Sequence, residues 1–143
     1  MATTRRSRWI GATPQEVWRV VANPHQMPRW WPGVERVERV THDGFTLVVP
    51  TRRGKPMRLD EHVTVSTEPS RRVWDQEVVG TPFERLLDAW TTSIELVPDG
   101  EGTIVTIVEV QQLRGSFRPG VLLQRRPARR RLDAALAALA EVL

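Results

Sequence analysis

Three carboxylates stand out because each shares a strand face with apolar side chains: Glu61, Asp88 and Glu109. In "KPMRLDEHVTVS", period-2 alternation puts Met57, Leu59, Val63 and Val65 on one face with Glu61, and leaves Arg58, Asp60, His62 and Thr64 on the other. In "ERLLDAWTTSIELVP", Leu86, Trp90, Ile94 and Leu96 share a face with Asp88 and Thr92. In "GTIVTIVEVQQL", Val105 and Ile107 share one with Glu109 and Gln111, but Ile104, Val108 and Val110 make the opposite face equally apolar, so the inner face of that strand stays open. If the acid-bearing faces point inward, three carboxylates project into an apolar space beside Trp74 and Trp90. Removal from water favours the neutral carboxyl and raises its pKa, which suits general acid or base work. The plainer alternative is that each carboxylate sits at the wet end of its strand or pairs with one of the 20 Arg.

Other chemistries have less support. His25, His42 and His62 lie on three different elements without metal-ligand spacing, so neither a metal site nor a cofactor is expected. The chain has no cysteine, which excludes a disulfide scaffold, a thiol nucleophile and a cysteine-based zinc site. No Gly-x-Ser-x-Gly elbow occurs. Gly100 and Gly102 belong to a hairpin rather than a phosphate loop, because no helix start follows them.

The elements that must position these residues come in a clear order. "RRSRWI" is a short strand. "GATPQEVWRVVAN" then opens a helix with Thr13 as N-cap, Pro14 at the first position and Glu16 at the third, and Val17, Val20 and Val21 fall on one face. "PHQMPRWW" is a second, shorter helical or turn segment, and "GVERVERV" a strand leaving the corner, with room for a bulge. Five further strands rich in Val, Ile and Thr follow: "GFTLVVP", "KPMRLDEHVTVS", "RRVWDQEVVG", "ERLLDAWTTSIELVP" and "GTIVTIVEVQQL". The links between them, "HDG", "RRG", "EPS", "GTP" and "PDGEG", are short enough for consecutive antiparallel hairpins. The period then becomes helical, with Leu132, Leu136, Leu139 and Leu143 on one side beside Ala135 and Val142, and Pro127 as the first helical residue. That helix needs an apolar partner, and the sheet is the only large one.

A chain of 143 residues, 40% hydrophobic and 27% charged, reads as one globular domain over 1–143, large enough for a real core and a cavity. The net charge of +4 is local: "QRRPARRR" carries five Arg and no acid, and without it the chain is close to neutral. Specific nucleic acid binding is therefore not expected, and the preference for Arg over Lys looks like codon bias as much as function. The Arg segment has three readings: a solvated helix start, a contact for an acidic partner or membrane surface, or, at Arg125, a group reaching an anion at a cavity mouth. No run approaches a membrane span and the start has no apolar leader region, so a cytoplasmic protein is expected.

The order of elements and three stretches, "ATPQEVWRVVANPHQMPRWWPGVERVE", "VPDGEGTIVTI" and the Leu/Ala terminal helix, resemble the START-like (SRPBCC) helix-grip fold, and within it the polyketide cyclase/dehydrase and lipid transport family. The resemblance covers the whole chain. It implies an α+β fold: a curved seven-stranded antiparallel sheet around a long C-terminal helix, two short helices after the first strand, and a ligand cavity between sheet and helix. Trp30 and Trp31 would then sit at a cavity edge, with Trp30 pointing inward by its match to the family pattern and Trp31 covering the outside or the mouth; simple core packing is the alternative for Trp30 and Trp18. The remaining expected wall is Leu47, Leu59, Trp74, Phe83, Trp90 and Ile107, with Phe117, Leu122 and Arg125 near the terminal helix.

The leading functional expectation is binding of a hydrophobic small molecule, polyketide-, lipid- or aromatic-like. Two alternatives stand beside it: a cyclase or dehydratase using the same cavity, in which the carboxylates serve an aldol-type cyclisation or dehydration, and an interaction module that docks an acidic partner on the Arg segment. A homodimer is left open.

Overall fold

The computed structural model describes residues 1–115 and 119–143, with side chains outside residues 116–125; the expectations for Phe117, Leu122 and Arg125 fall outside the described residues. Seven strands form one antiparallel sheet in the order β1-β7-β6-β5-β4-β3-β2. They are β1 (Ala2–Ile10), β2 (Arg36–Glu38), β3 (Gly44–Val49), β4 (Met57–Thr67), β5 (Arg71–Gln76), β6 (Leu87–Asp99) and β7 (Gly102–Leu113). β3 to β7 are joined by consecutive hairpins, and β1 returns to pair with β7 from Ala2 opposite Gln111 to Ile10 opposite Thr103. Two short helices, α1 (Pro14–Val21) and α2 (Met27–Trp30), lie between β1 and β2 with a single 3-10 turn (Pro24–Gln26) between them, and α3 (Pro119–Val142) closes the chain.

α1 starts as its cap dictates. The Thr13 hydroxyl accepts from the Glu16 N–H at 3.2 Å and donates to the Glu16 carboxylate at 3.0 Å, while Pro14 occupies a position where no amide donor is needed. Its buried residues are Val17, Trp18 and Val21, so the inward face is rotated toward Trp18, and Val20 is only half-buried. Asn23 then caps the 3-10 turn through His25 N–H at 3.1 Å. At the corner the backbone changes from helical at Trp30 to extended at Trp31 (φ −83°, ψ 121°), which makes the two neighbouring indoles diverge.

β1 begins at Ala2 rather than Arg5, and other expected boundaries move for local reasons. β2 is only three residues long, because Arg39 adopts a left-handed backbone (φ 51°) that ends the pairing. Residues 77–86 form a turn segment rather than continuing β5 and opening β6. There the Thr81 hydroxyl donates to Val78 C=O at 2.6 Å and accepts from Phe83 N–H, and Leu86 and Leu87 N–H both bond Phe83 C=O, so local bonds replace ladder bonds. Finally, Pro127 lies inside α3 instead of opening it; the helix accepts the loss of one amide donor and runs for about 36 Å at 1.5 Å per residue.

α3 buries Ala128, Leu132, Ala135, Leu136 and Leu139. Their three- and four-residue spacing is the stripe a helix must turn toward a sheet. Leu132, Ala135, Leu136 and Leu139 meet Ile94 and Leu96 of β6, Val105 and Ile107 of β7, and Val17, Val21, Met27 and Trp30 from the two short helices in one continuous cluster. β7 therefore turns Val105, Ile107 and Glu109 inward, which settles the face that the sequence left open.

Candidate functional site

Beyond that packed region the inner face of the sheet is hollow. A cavity of about 170 Å³ lies between the middle of β3 to β7, the Trp31–Val34 corner, Phe83 and Arg131 of α3. Alternation brings Leu47 and Val49 of β3, Met57, Leu59 and Glu61 of β4, Trp74 and Gln76 of β5, and Trp90 and Thr92 of β6 to its wall, with Glu109 from β7. The register fixes who faces whom. Phe45, Glu61 and Gln76 form one cross-strand row over β3, β4 and β5; Trp74, Thr92 and Glu109 form the next over β5, β6 and β7. Gly44 permits the first row. A Cβ there would stand 2.3 Å from the Glu61 carbonyl oxygen, so only glycine lets β3 approach β4 at this point.

The apolar wall is an aromatic chain. Trp31 packs edge-on against Trp30 (centroids 5.4 Å, 80°) and against Trp74 (5.6 Å, 74°), and Phe45 packs on Trp74 (5.8 Å, 72°). Phe83 and Trp90 form a second edge-to-face pair at 5.2 Å and 90°. The Arg131 guanidinium carbon lies 5.3 Å from the centre of the Trp90 ring, a cation–π distance.

The two buried carboxylates differ in how they are satisfied. Glu109 is 2% exposed; its Oε2 is ion-paired with Arg131 Nη2, and its Oε1 accepts from Gln111 Nε2 at 3.2 Å. Glu61 is 4% exposed, and its Oε2 has no hydrogen-bond partner. Burial, with added repulsion from Asp60, Asp75 and Glu109, pushes Glu61 up to about 9, so at neutral pH it is an uncharged carboxylic acid with an O–H to donate. Gln76, directly opposite Glu61 across the β4–β5 ladder, also has an unpartnered buried atom, its donor Nε2. The cavity therefore combines aromatic faces with two unused polar groups at one place.

Of the residues expected from sequence, Glu61, Glu109, Trp31, Leu47, Leu59, Trp74, Phe83 and Trp90 line this cavity. Trp30 and Ile107 do not; both are buried in the packed cluster, so at the corner it is Trp31 that reaches the hollow and Trp30 that stands behind it. Asp88 is a correction. A register shift between Leu87 and Ala89 reverses the alternation, burying Leu87, exposing Leu86 and turning Asp88 to solvent, where it pairs with Arg114 at 3.1 Å. Gln76 and Arg131 were missed. The first carried a signal in its alternation with Trp74, the second in its place beside Leu132 and three residues after Ala128 on the buried stripe of α3.

The sequence matches the family described as Polyketide cyclase / dehydrase and lipid transport over residues 1–143. No match among curated proteins accompanies it. Solved structures share the fold. TTHA0849 from Thermus thermophilus is 22% identical with a TM-score of 0.73, covering 97% of this chain and 94% of that one. The di-domain ARO/CYC StfQ from the steffimycin biosynthetic pathway is 19% identical with a TM-score of 0.73, over 99% of this chain and 49% of its own length. Ara h 8.0201 is 13% identical with a TM-score of 0.75, over 98% of this chain and 95% of that one. These likenesses agree with the seven-stranded helix-grip architecture. Among the described residues no helix is long and apolar enough to cross a membrane.

Proposed function

The chain belongs to the polyketide cyclase/dehydrase and lipid transport family, and on that premise we propose that it binds a hydrophobic, ring-bearing small molecule within a single domain spanning residues 1–143. The observation that carries this reading is the cavity itself: a hollow walled by Trp31, Trp74, Phe83 and Trp90 that leaves buried polar atoms of Glu61 and Gln76 without partners. Aromatic walls with a few convergent polar groups are the ordinary composition of small-molecule sites, and unpartnered buried atoms favour a ligand that supplies the partners. A volume of about 170 Å³ suits one or two fused rings better than a long acyl chain. Of the sequence-expected wall, Trp31, Leu47, Leu59, Trp74, Phe83 and Trp90 are the residues assigned to ligand contact. The test is intrinsic fluorescence during titration with aromatic polyketides, fatty acids and sterol-like compounds, with mass spectrometry of co-purifying molecules. Saturable quenching that is lost in folded Trp31→Ala or Trp90→Ala protein is expected; an absence of both response and co-purifying compound would overturn the reading.

A second reading, cyclase or dehydratase, has one observation in its favour: Glu61 holds its proton at neutral pH and is placed to hand it to a substrate carbonyl or departing hydroxyl. Loss of turnover in Glu61→Gln with binding retained would support it; Glu109 is held by Arg131 and Gln111.

A further inference from the structure

The geometry points to a specific headgroup site inside this cavity: Glu61 and Gln76 form a pair of hydrogen-bond donors for one uncharged carbonyl oxygen, so the ligand is a neutral cyclic ketone or enone rather than a carboxylate. This rests on the hydrophobic-ligand reading above and narrows it to a chemical class.

The two groups sit on adjacent strands in direct register, so their Cβ atoms are about 5 Å apart on the same face. Both line the cavity, and neither Glu61 Oε2 nor Gln76 Nε2 is bonded to the other or to anything else. Directly opposed side chains of this length normally close on each other; here they remain apart, both on residues of the cavity wall. A protonated carboxyl and an amide NH₂ offer two donors, a number that matches the two lone pairs of a carbonyl oxygen. The aromatic edges of Trp31 and Trp74 supply the flanks for the ring that carries it.

The charges around the pair exclude an anion. Asp60, Asp75 and Glu109 all act on Glu61 with the sign that disfavours negative charge, and they would act on a ligand carboxylate at that spot in the same way. Arg131, the cation on the cavity wall, is already committed to Glu109 and to the face of Trp90. Among the described residues, a buried anion would therefore have no free counter-charge on the cavity wall. A neutral carbonyl needs none: the two donors can pair its oxygen without any charge being buried.

Three probes of one size separate the possibilities: naphthalene, tetralone and naphthoate, titrated into the full chain by calorimetry at pH 7. The expected order is tetralone tightest, naphthalene about tenfold weaker for the lost hydrogen bonds, and naphthoate weakest. The carbonyl stretch of bound isotope-labelled tetralone should move to lower frequency than in water-free solvent. Gln76→Leu or Glu61→Leu should abolish the preference for tetralone over naphthalene, with circular dichroism checking the fold. The wild-type affinities and the infrared shift stand without either variant. Equal binding of naphthalene and tetralone with an unshifted carbonyl would overturn the donor-pair assignment and leave the hydrophobic cavity intact. Tightest binding by naphthoate would overturn it in favour of recognition through Arg131. Binding of none of the three would overturn the hydrophobic-ligand reading, and the donor pair with it.

Discussion

The inner face of the sheet has two ends that use the same kinds of residue for opposite purposes. At one end Ile94, Ile107, Trp30 and Leu132, Leu136 and Leu139 of α3 fill the space between sheet and helix, and all are almost completely buried. At the other, Leu59, Trp74 and Trp90 stand around a void, and the acids Glu61 and Glu109 are placed among them. Close packing yields dispersion contacts on every side of a side chain, whereas a cavity wall has partners on one side only. The hollow end is thus the less stable half of the interface, held in shape by its edge-to-face aromatic pairs and by the Glu109–Arg131 ion pair rather than by contact density.

The most disruptive way to break this contrast is at the ion pair. Arg131→Ala leaves Glu109 buried without a counter-charge, and a loss of about 3–5 kcal/mol is expected in urea denaturation. Next come paired leucine truncations. Leu136→Ala, in the packed end, should cost about 3 kcal/mol, and Leu59→Ala, on the cavity wall, about half of that, because the void is already present. Equal costs would mean that the two ends are equally packed. The sharpest test is of pH dependence. Glu61 has its folded pKa raised to about 9 from 4.5, so between those values the unfolded state binds fewer protons and stability falls as pH rises, by up to about 1.4 kcal/mol per pH unit. Glu61→Gln should flatten that slope between pH 5 and pH 9, measured as the denaturation midpoint across the range.

The same contrast explains what the sequence made legible. The packed end was readable because its signals are periodic and local: the Thr13–Pro14–Glu16 helix start and the leucine spacing of α3 each need only a few neighbouring residues. Alternation along β4 placed Glu61 inward for the same reason. The errors fall where one residue changes the count. The shift at Leu87–Ala89 sends Asp88 outward, and the turn bonds of Thr81 and Phe83 end a Val-rich run that reads as strand. Which of the two corner indoles reaches the cavity turns on the change of backbone from helical to extended between Trp30 and Trp31, a change invisible in residue types alone. Arg131 was masked by its own neighbourhood, five arginines of which helical phase, not charge, singles out one.

The aromatic chain from Trp30 through Trp31 to Trp74 also has an optical consequence. Indoles whose centres are 5.4 and 5.6 Å apart exchange electronic excitation far faster than they emit. Light absorbed by any of the three therefore leaves through whichever has the lowest-energy excited state, and a molecule that touches Trp31 or Trp74 darkens Trp30 as well, though it never meets that ring.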